Sequence, residues 1–90
     1  MKDDTQSVTV LYFAWLRERV GVAQEQMELP ASVETVGALV EWIAARSARH
    51  RAAFENRAVV RCAVNQDFAD ASAPVRPGDE VAFFPPVTGG

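Results

Sequence analysis

A single cysteine, a single histidine, two acidic pairs and a Gly-Gly ending are the features of this sequence that could do chemistry. Cys62 would serve as a nucleophile only with a base beside it to draw off the thiol proton. His50 is the sole histidine, and it sits in an arginine-rich stretch with no neighbour in sequence to orient its ring, so it reads as solvated. Cys62 alternates with Val60 and Val64, on the side of two core candidates, where a thiol behaves as a small hydrophobe. One cysteine cannot close an internal disulfide, and alone it cannot hold a structural zinc or an iron–sulfur cluster. With no metal-ligand spacing and no phosphate loop, no metal site and no bound cofactor are expected. Asp3-Asp4 and Asp79-Glu80 read as a leader and a turn rather than paired catalytic carboxylates. What remains is the end of the chain. Gly89-Gly90 behind Pro85-Pro86 offers a carboxylate on a narrow stalk that could thread a slot closed to larger side chains. An unstructured terminus is the plain alternative for such an ending.

The elements that must position this stalk are legible in outline. Ser7–Phe13 is β-branched and aromatic and predicts a strand, with Val8, Val10 and Tyr12 on one face and Leu11 and Phe13 on the other. Apolar groups on both faces predict that it is mostly buried. Residues 14–20 suggest two helical turns closed by Gly21, and Gln24–Leu29 a more exposed strand stopped by Pro30. Val36, Leu39, Val40 and Ile43 recur at helical spacing, with Thr35 or Ser32 as the cap. Arg46, Arg49 and Arg51 would suit that helix's negative end, and a short further turn covers His50–Glu55. Val59–Val64 predicts a third strand, Asn65-Gln66-Asp67 a turn, and Phe68-Ala69 a brief edge strand. Pro77-Gly78 is the central pair of a type II turn before the last strand, Val81–Phe84. The long helix can cross one face of the sheet and allow a parallel pairing. The fold class is therefore α+β, a sheet packed on one main helix.

Composition bounds the function classes. Ninety residues make one domain, a net charge of −3 with 49% hydrophobic residues excludes disorder, and no apolar run approaches a membrane span. The polar, acidic start lacks a secretory or transit signature, and a lone cysteine fits a reducing cytoplasm. A pI near 5.0 argues against nucleic acid, although five arginines between Arg46 and Arg61 face only Glu55. That stretch reads as a solvated helix end and loop, with a docking patch for an acidic partner as the alternative.

Gly78-Asp79-Glu80-Val81-Ala82-Phe83-Phe84-Pro85-Pro86-Val87-Thr88-Gly89-Gly90 closely resembles the ending of the MoaD family, the small subunits of molybdopterin synthase. Val10–Ala14 with Leu16-Arg17-Glu18, Thr35-Val36 with Leu39, and Ala63-Val64-Asn65 are similar to that family's first strand and helix, main helix and third strand. The resemblance spans about Val8 to Gly90. It implies a β-grasp, ubiquitin-like fold with a mixed sheet: a loose leader over 1–7, the domain over 8–86 and a flexible tail over 87–90. It further implies a sulfur carrier. An adenylyltransferase related to ubiquitin-activating enzymes would use ATP to adenylate Gly90, and a sulfur donor would convert it to a thiocarboxylate. Val87, Thr88 and Gly89 would insert with it into the large subunit, in a heterotetramer, and deliver sulfur to cyclic pyranopterin monophosphate for molybdenum cofactor biosynthesis. The chain would thus be a non-catalytic, sulfur-donating subunit, the catalytic pocket lying on its partner. Phe13, Arg17, Phe84 and Pro85 would meet that partner. At least one of Phe83 and Phe84 must be core. A carrier for thiamine or tRNA thiolation shares the ending, and so does a ubiquitin-like modifier. Lys2 is the only lysine, so chains of the protein on itself would have almost nowhere to grow. A passive β-grasp module with an inert tail is the remaining class.

Overall fold

The computed structural model describes residues 6–86, the side chain of Gln6 excepted; the first five residues and Val87, Thr88, Gly89 and Gly90 lie outside the described residues. Strand β1 (Gln6–Tyr12) alternates strictly, and Val8, Val10 and Tyr12 are buried under the helices. Helix α1 (Trp15–Val20) buries Leu16 and Val20 and ends at Gly21, whose φ of 99° is the left-handed cap the sequence predicts. Strand β2 (Gln24–Leu29) returns antiparallel to β1. Helix α2 (Val36–Ala44) follows, capped by Thr35, whose Oγ1 accepts the Ala38 N–H at 3.2 Å.

Ser47 then caps a separate helix, α3 (Ala48–Ala53), where the sequence suggested only a short turn. A 3₁₀ turn over Arg57–Val59 delays β3 to Arg61–Val64, two residues later than predicted. Strand β4 (Asp67–Ala69) is a brief edge strand, reached through Asn65 and Gln66 at φ 51° and 73°. The predicted type II turn at Pro77-Gly78 is present, closed by the Asp79 N–H on the Arg76 carbonyl at 3.1 Å, and β5 (Glu80–Phe84) completes the sheet.

The strand order is β2-β1-β5-β3-β4, with β1 and β5 parallel and every other pair antiparallel. This is the β-grasp arrangement. All three helices lie on one face, where Tyr12, Leu16, Leu39, Ile43, Phe54 and Phe83 form the centre of the core. Phe83 packs edge-on against Phe54 with ring centroids 5.0 Å apart.

Two further expectations about the fold need correction. Strand β1 is buried on one face only: Leu11 is half-buried and Phe13 is 47% exposed, because no helix covers that side of the sheet. The basic residues after α2 do not gather at its C-terminus either. Arg49 Nε donates to the Arg19 carbonyl at 3.2 Å, so it serves the end of α1. Arg46 lies over the Trp42 ring, 4.8 Å from its centroid.

Candidate functional site

Parallel pairing brings the C-terminal ends of β1 and β5 to the same edge of the domain. Tyr12 stands beside Phe83 in the register, and the Phe13 N–H donates to the Phe83 carbonyl at 3.0 Å. The chain therefore leaves the central strand at Phe84-Pro85-Pro86 next to the turn that starts α1. Register also fixes the uncovered face. Leu11, Ala82 and Ala63 form a row across β1, β5 and β3, and Phe84 opposes Arg61. Phe68 opposes Ala63 and so lies on the same side.

On that face Phe13 is 47% and Phe68 84% exposed, while Phe84, Pro85 and Pro86 are half-buried. The Phe68 and Phe84 rings lie 5.9 Å apart, centroid to centroid. Aromatic rings left open to water around a strand end form an apolar patch and are a candidate docking surface. Phe83 is the core residue of its pair and Phe84 is not. Arg17 is exposed on the first turn of α1, at the same end as Phe13. Sequence reading missed Phe68. Its signal was strand alternation: with Phe68 opposite Ala63, a phenylalanine in a polar hairpin must face the open side.

The other side chains considered for chemistry are placed away from catalysis. Cys62 is buried, and burial pushes its thiol up to about 11, so no thiolate is available near neutral pH. It faces a groove of about 520 Å³ between α2 and β3, with the Glu41–Arg57 ion pair among its lining residues. His50 is not solvated. Its Nε2–H donates to Glu25 Oε2 at 2.8 Å, and its Nδ1 lies 2.7 Å from Ser47 Oγ. Tyr12 Oη–H donates to the same Glu25 oxygen at 2.9 Å. Residues 25 positions apart in sequence gave no warning of this network. Burial, then the Glu25 carboxylate, pushes the Tyr12 hydroxyl far up, so it stays a donor. Partial burial raises the Glu25 carboxyl, but the bonds from His50 and Tyr12 outweigh it and hold it below the usual range. These groups satisfy one another. Two arginines of the basic stretch are likewise occupied locally: Arg57 pairs with Glu41 at 2.9 Å, and Arg61 donates to the Ala58 carbonyl at 2.9 Å. Among the described residues, no three His, Cys, Asp or Glu side chains cluster to hold a metal ion.

Comparison with known proteins agrees in sequence and in shape. The model of the ThiS family matches residues 10–90. The molybdopterin synthase sulfur carrier subunit of Escherichia coli is 46% identical over 83 residues, covering 92% of this chain and 99% of its own. A solved structure from Pyrococcus furiosus, named for molybdopterin converting factor subunit 1, is 34% identical with a TM-score of 0.75, covering 90% of this chain and 98% of its own. The crystal structure of the H. volcanii small archaeal modifier protein 1 is 26% identical with a TM-score of 0.70, covering 90% of this chain and 98% of its own.

Proposed function

This chain belongs to the ThiS family, and on that premise we propose that it is the sulfur carrier subunit of a molybdopterin synthase, with Gly90 as the atom-carrying residue. The observation that supports this reading best is the geometry of the tail root. The chain leaves the central strand beside exposed Phe13 and Phe68 and half-buried Phe84, in a domain whose Cys62 thiol is buried and whose His50 ring is hydrogen-bonded.

A partner adenylyltransferase would recognise the domain and transfer AMP from ATP to the Gly90 carboxylate, releasing pyrophosphate. Carboxylate oxygen is a poor leaving group, and the acyl-adenylate replaces it with a good one. The terminal sulfur of a donor persulfide would attack the acyl-adenylate and displace AMP. A thiol would then attack the donor's own sulfur in the resulting acyl disulfide, forming a donor disulfide and releasing a thiocarboxylate on Gly90. Val87, Thr88 and Gly89 would then slide into a pocket of the large subunit, in an assembly of two small and two large subunits. There the thiocarboxylate sulfur would attack a side-chain carbon of cyclic pyranopterin monophosphate and displace its oxygen substituent. Water would cleave the resulting thioester, leaving sulfur on the pterin and a carboxylate on Gly90; a second thiocarboxylate would supply the second sulfur. The large subunit supplies orientation and charge stabilisation. The small subunit supplies the sulfur and a docking face that holds the tail in line, with Phe13, Arg17, Phe68, Phe84 and Pro85 as its contacts. No cofactor resides in this chain; ATP is bound by the activating enzyme. The site of action is the cytoplasm, where the lone cysteine stays reduced. No helix among the described residues is long and apolar enough to cross a membrane.

A second reading, a protein modifier, draws on the shape shared with the archaeal modifier protein. Reconstitution separates the two. The thiocarboxylated chain, mixed with the large subunit and cyclic pyranopterin monophosphate, is expected to yield the dithiolene product. Absence of product together with attachment of Gly90 to lysines of other proteins would favour the modifier.

A further inference from the structure

The turn at the tail root contains a residue that suits neither of its two local tasks. Residues Phe13–Leu16 form a tight turn closed by the Leu16 N–H on the Phe13 carbonyl at 3.2 Å. Ala14, its first central residue, has φ 57° and ψ −133°. Those angles are those of the first central position of a type II′ turn, a position that is glycine's because a Cβ there meets the backbone. Ala14 is also the N-cap of α1 and makes no side-chain capping bond. Alanine is among the poor N-caps, and glycine is better there too. If the turn existed only to pass the chain from β1 into α1, glycine would serve both purposes.

The surroundings explain how an alanine can be held this way. On one side the Phe13 N–H is bonded to the Phe83 carbonyl at 3.0 Å, and on the other Leu16 is fully buried. The Ala14 carbonyl accepts the Arg17 N–H at 3.1 Å. The flanking anchors thus over-determine the turn, which is the condition under which a strained residue persists. What the Cβ adds is restriction. A glycine at this position could visit several turn conformations, each aiming Phe13 differently, whereas an alanine forced into this one has few neighbouring alternatives. Phe13 is the exposed ring beside the tail root, and Ala14 itself is exposed, so no core contact requires its methyl group.

We propose that Ala14 is a positioning residue for partner docking: the flanking hydrogen bonds hold the turn, its Cβ closes off the neighbouring backbone conformations, and Phe13 is thereby kept ready beside the departing tail. This rests on the docking role given to Phe13 above. A pre-set contact residue spares the complex the entropy of ordering it on binding.

Two variants test the proposal, A14G and A14S, the second keeping a Cβ. For each, thermal unfolding, amide order parameters over residues 13–17, and affinity for the cognate large subunit are measured beside the parent. Glycine relieves the turn in the folded chain but frees the unfolded one, so A14G is expected to melt within about 4 °C of the parent or above it. Its order parameters at residues 13–17 should fall, and its affinity should weaken roughly three- to ten-fold. A14S should keep parental order and affinity. Parental affinity in A14G would overturn the proposal. So would equal weakening in both variants, which would mark a direct methyl contact, or a loss of affinity that merely follows a fall in Tm. Failure of the parent to bind the large subunit would instead overturn the function on which the proposal rests.

Discussion

At the scale of single residues, adjacent phenylalanines have opposite duties. Phe83 is fully buried against Phe54 and Tyr12, whereas Phe84 is half-buried beside the exposed Phe68 on the uncovered face. Phe83→Ala should cost about 3–5 kcal/mol of stability through a core cavity. Phe84→Ala should cost under about 1.5 kcal/mol in denaturant unfolding yet weaken large-subunit binding at least ten-fold by calorimetry. Equal loss in both assays for Phe84→Ala would return that ring to the core. Glu25 gives a pH signature. Its carboxyl is held below the ordinary 4.5, so the bonds from His50 and Tyr12 stabilise the fold fully above that value. The contribution disappears as pH falls through the lowered folded value. Glu25→Gln should therefore be less stable than the parent at pH 7 and converge with it in acid. A gap of constant size between the two urea-unfolding profiles from pH 7 to pH 3 would contradict the network. The single types Phe83 and Phe84 could not be told apart by composition; strand alternation from Val81 decides between them. The Glu25–His50 pair was illegible because it is made by tertiary packing of β2 against α3.

At the scale of elements, periodicity carried most of the information. The stripe Val36, Leu39, Val40 and Ile43, with Thr35 or Ser32 as the cap, located the start of α2, since helical spacing and a capping hydroxyl are local signals, but not its end at Ala44. The Pro77-Gly78 turn was equally plain. Boundaries set by competing local bonds were not. Ser47 starts α3 by accepting the His50 N–H, and the Asn56 side chain starts the 3₁₀ turn that displaces β3. The burial of β1 was overestimated because an apolar face does not say whether a helix or a partner covers it. The tail is an element of the proposed chemistry too. Its reacting group is the α-carboxylate of Gly90, which an added residue would move and replace. One alanine appended after Gly90 should leave the melting curve unchanged and abolish sulfur transfer in the reconstituted synthase. Full activity in that extended chain would contradict the thiocarboxylate route.

At the scale of the whole molecule, the fold separates holding from reacting. One face of a five-stranded sheet is closed by three helices, and the other carries open aromatics around the root of the tail. The single parallel pair, β1 with β5, is what puts Phe13 and Phe84 at one edge. The long helical connection allowed a parallel pairing without saying which strands make it; the pairing of first with last strand, like the role of the ending, came from the likeness to the MoaD family. The residues of the candidate site that sequence did not reveal, Phe68 and Ala14, are defined by register and backbone angle. The most direct test of the central claim is the intact mass of the untagged chain after incubation with the activating enzyme, ATP and a sulfur donor. The account predicts a mass gain equal to one oxygen replaced by sulfur, mapped to Gly90. An unchanged mass, with binding of the activating enzyme demonstrated in the same mixture, would contradict it.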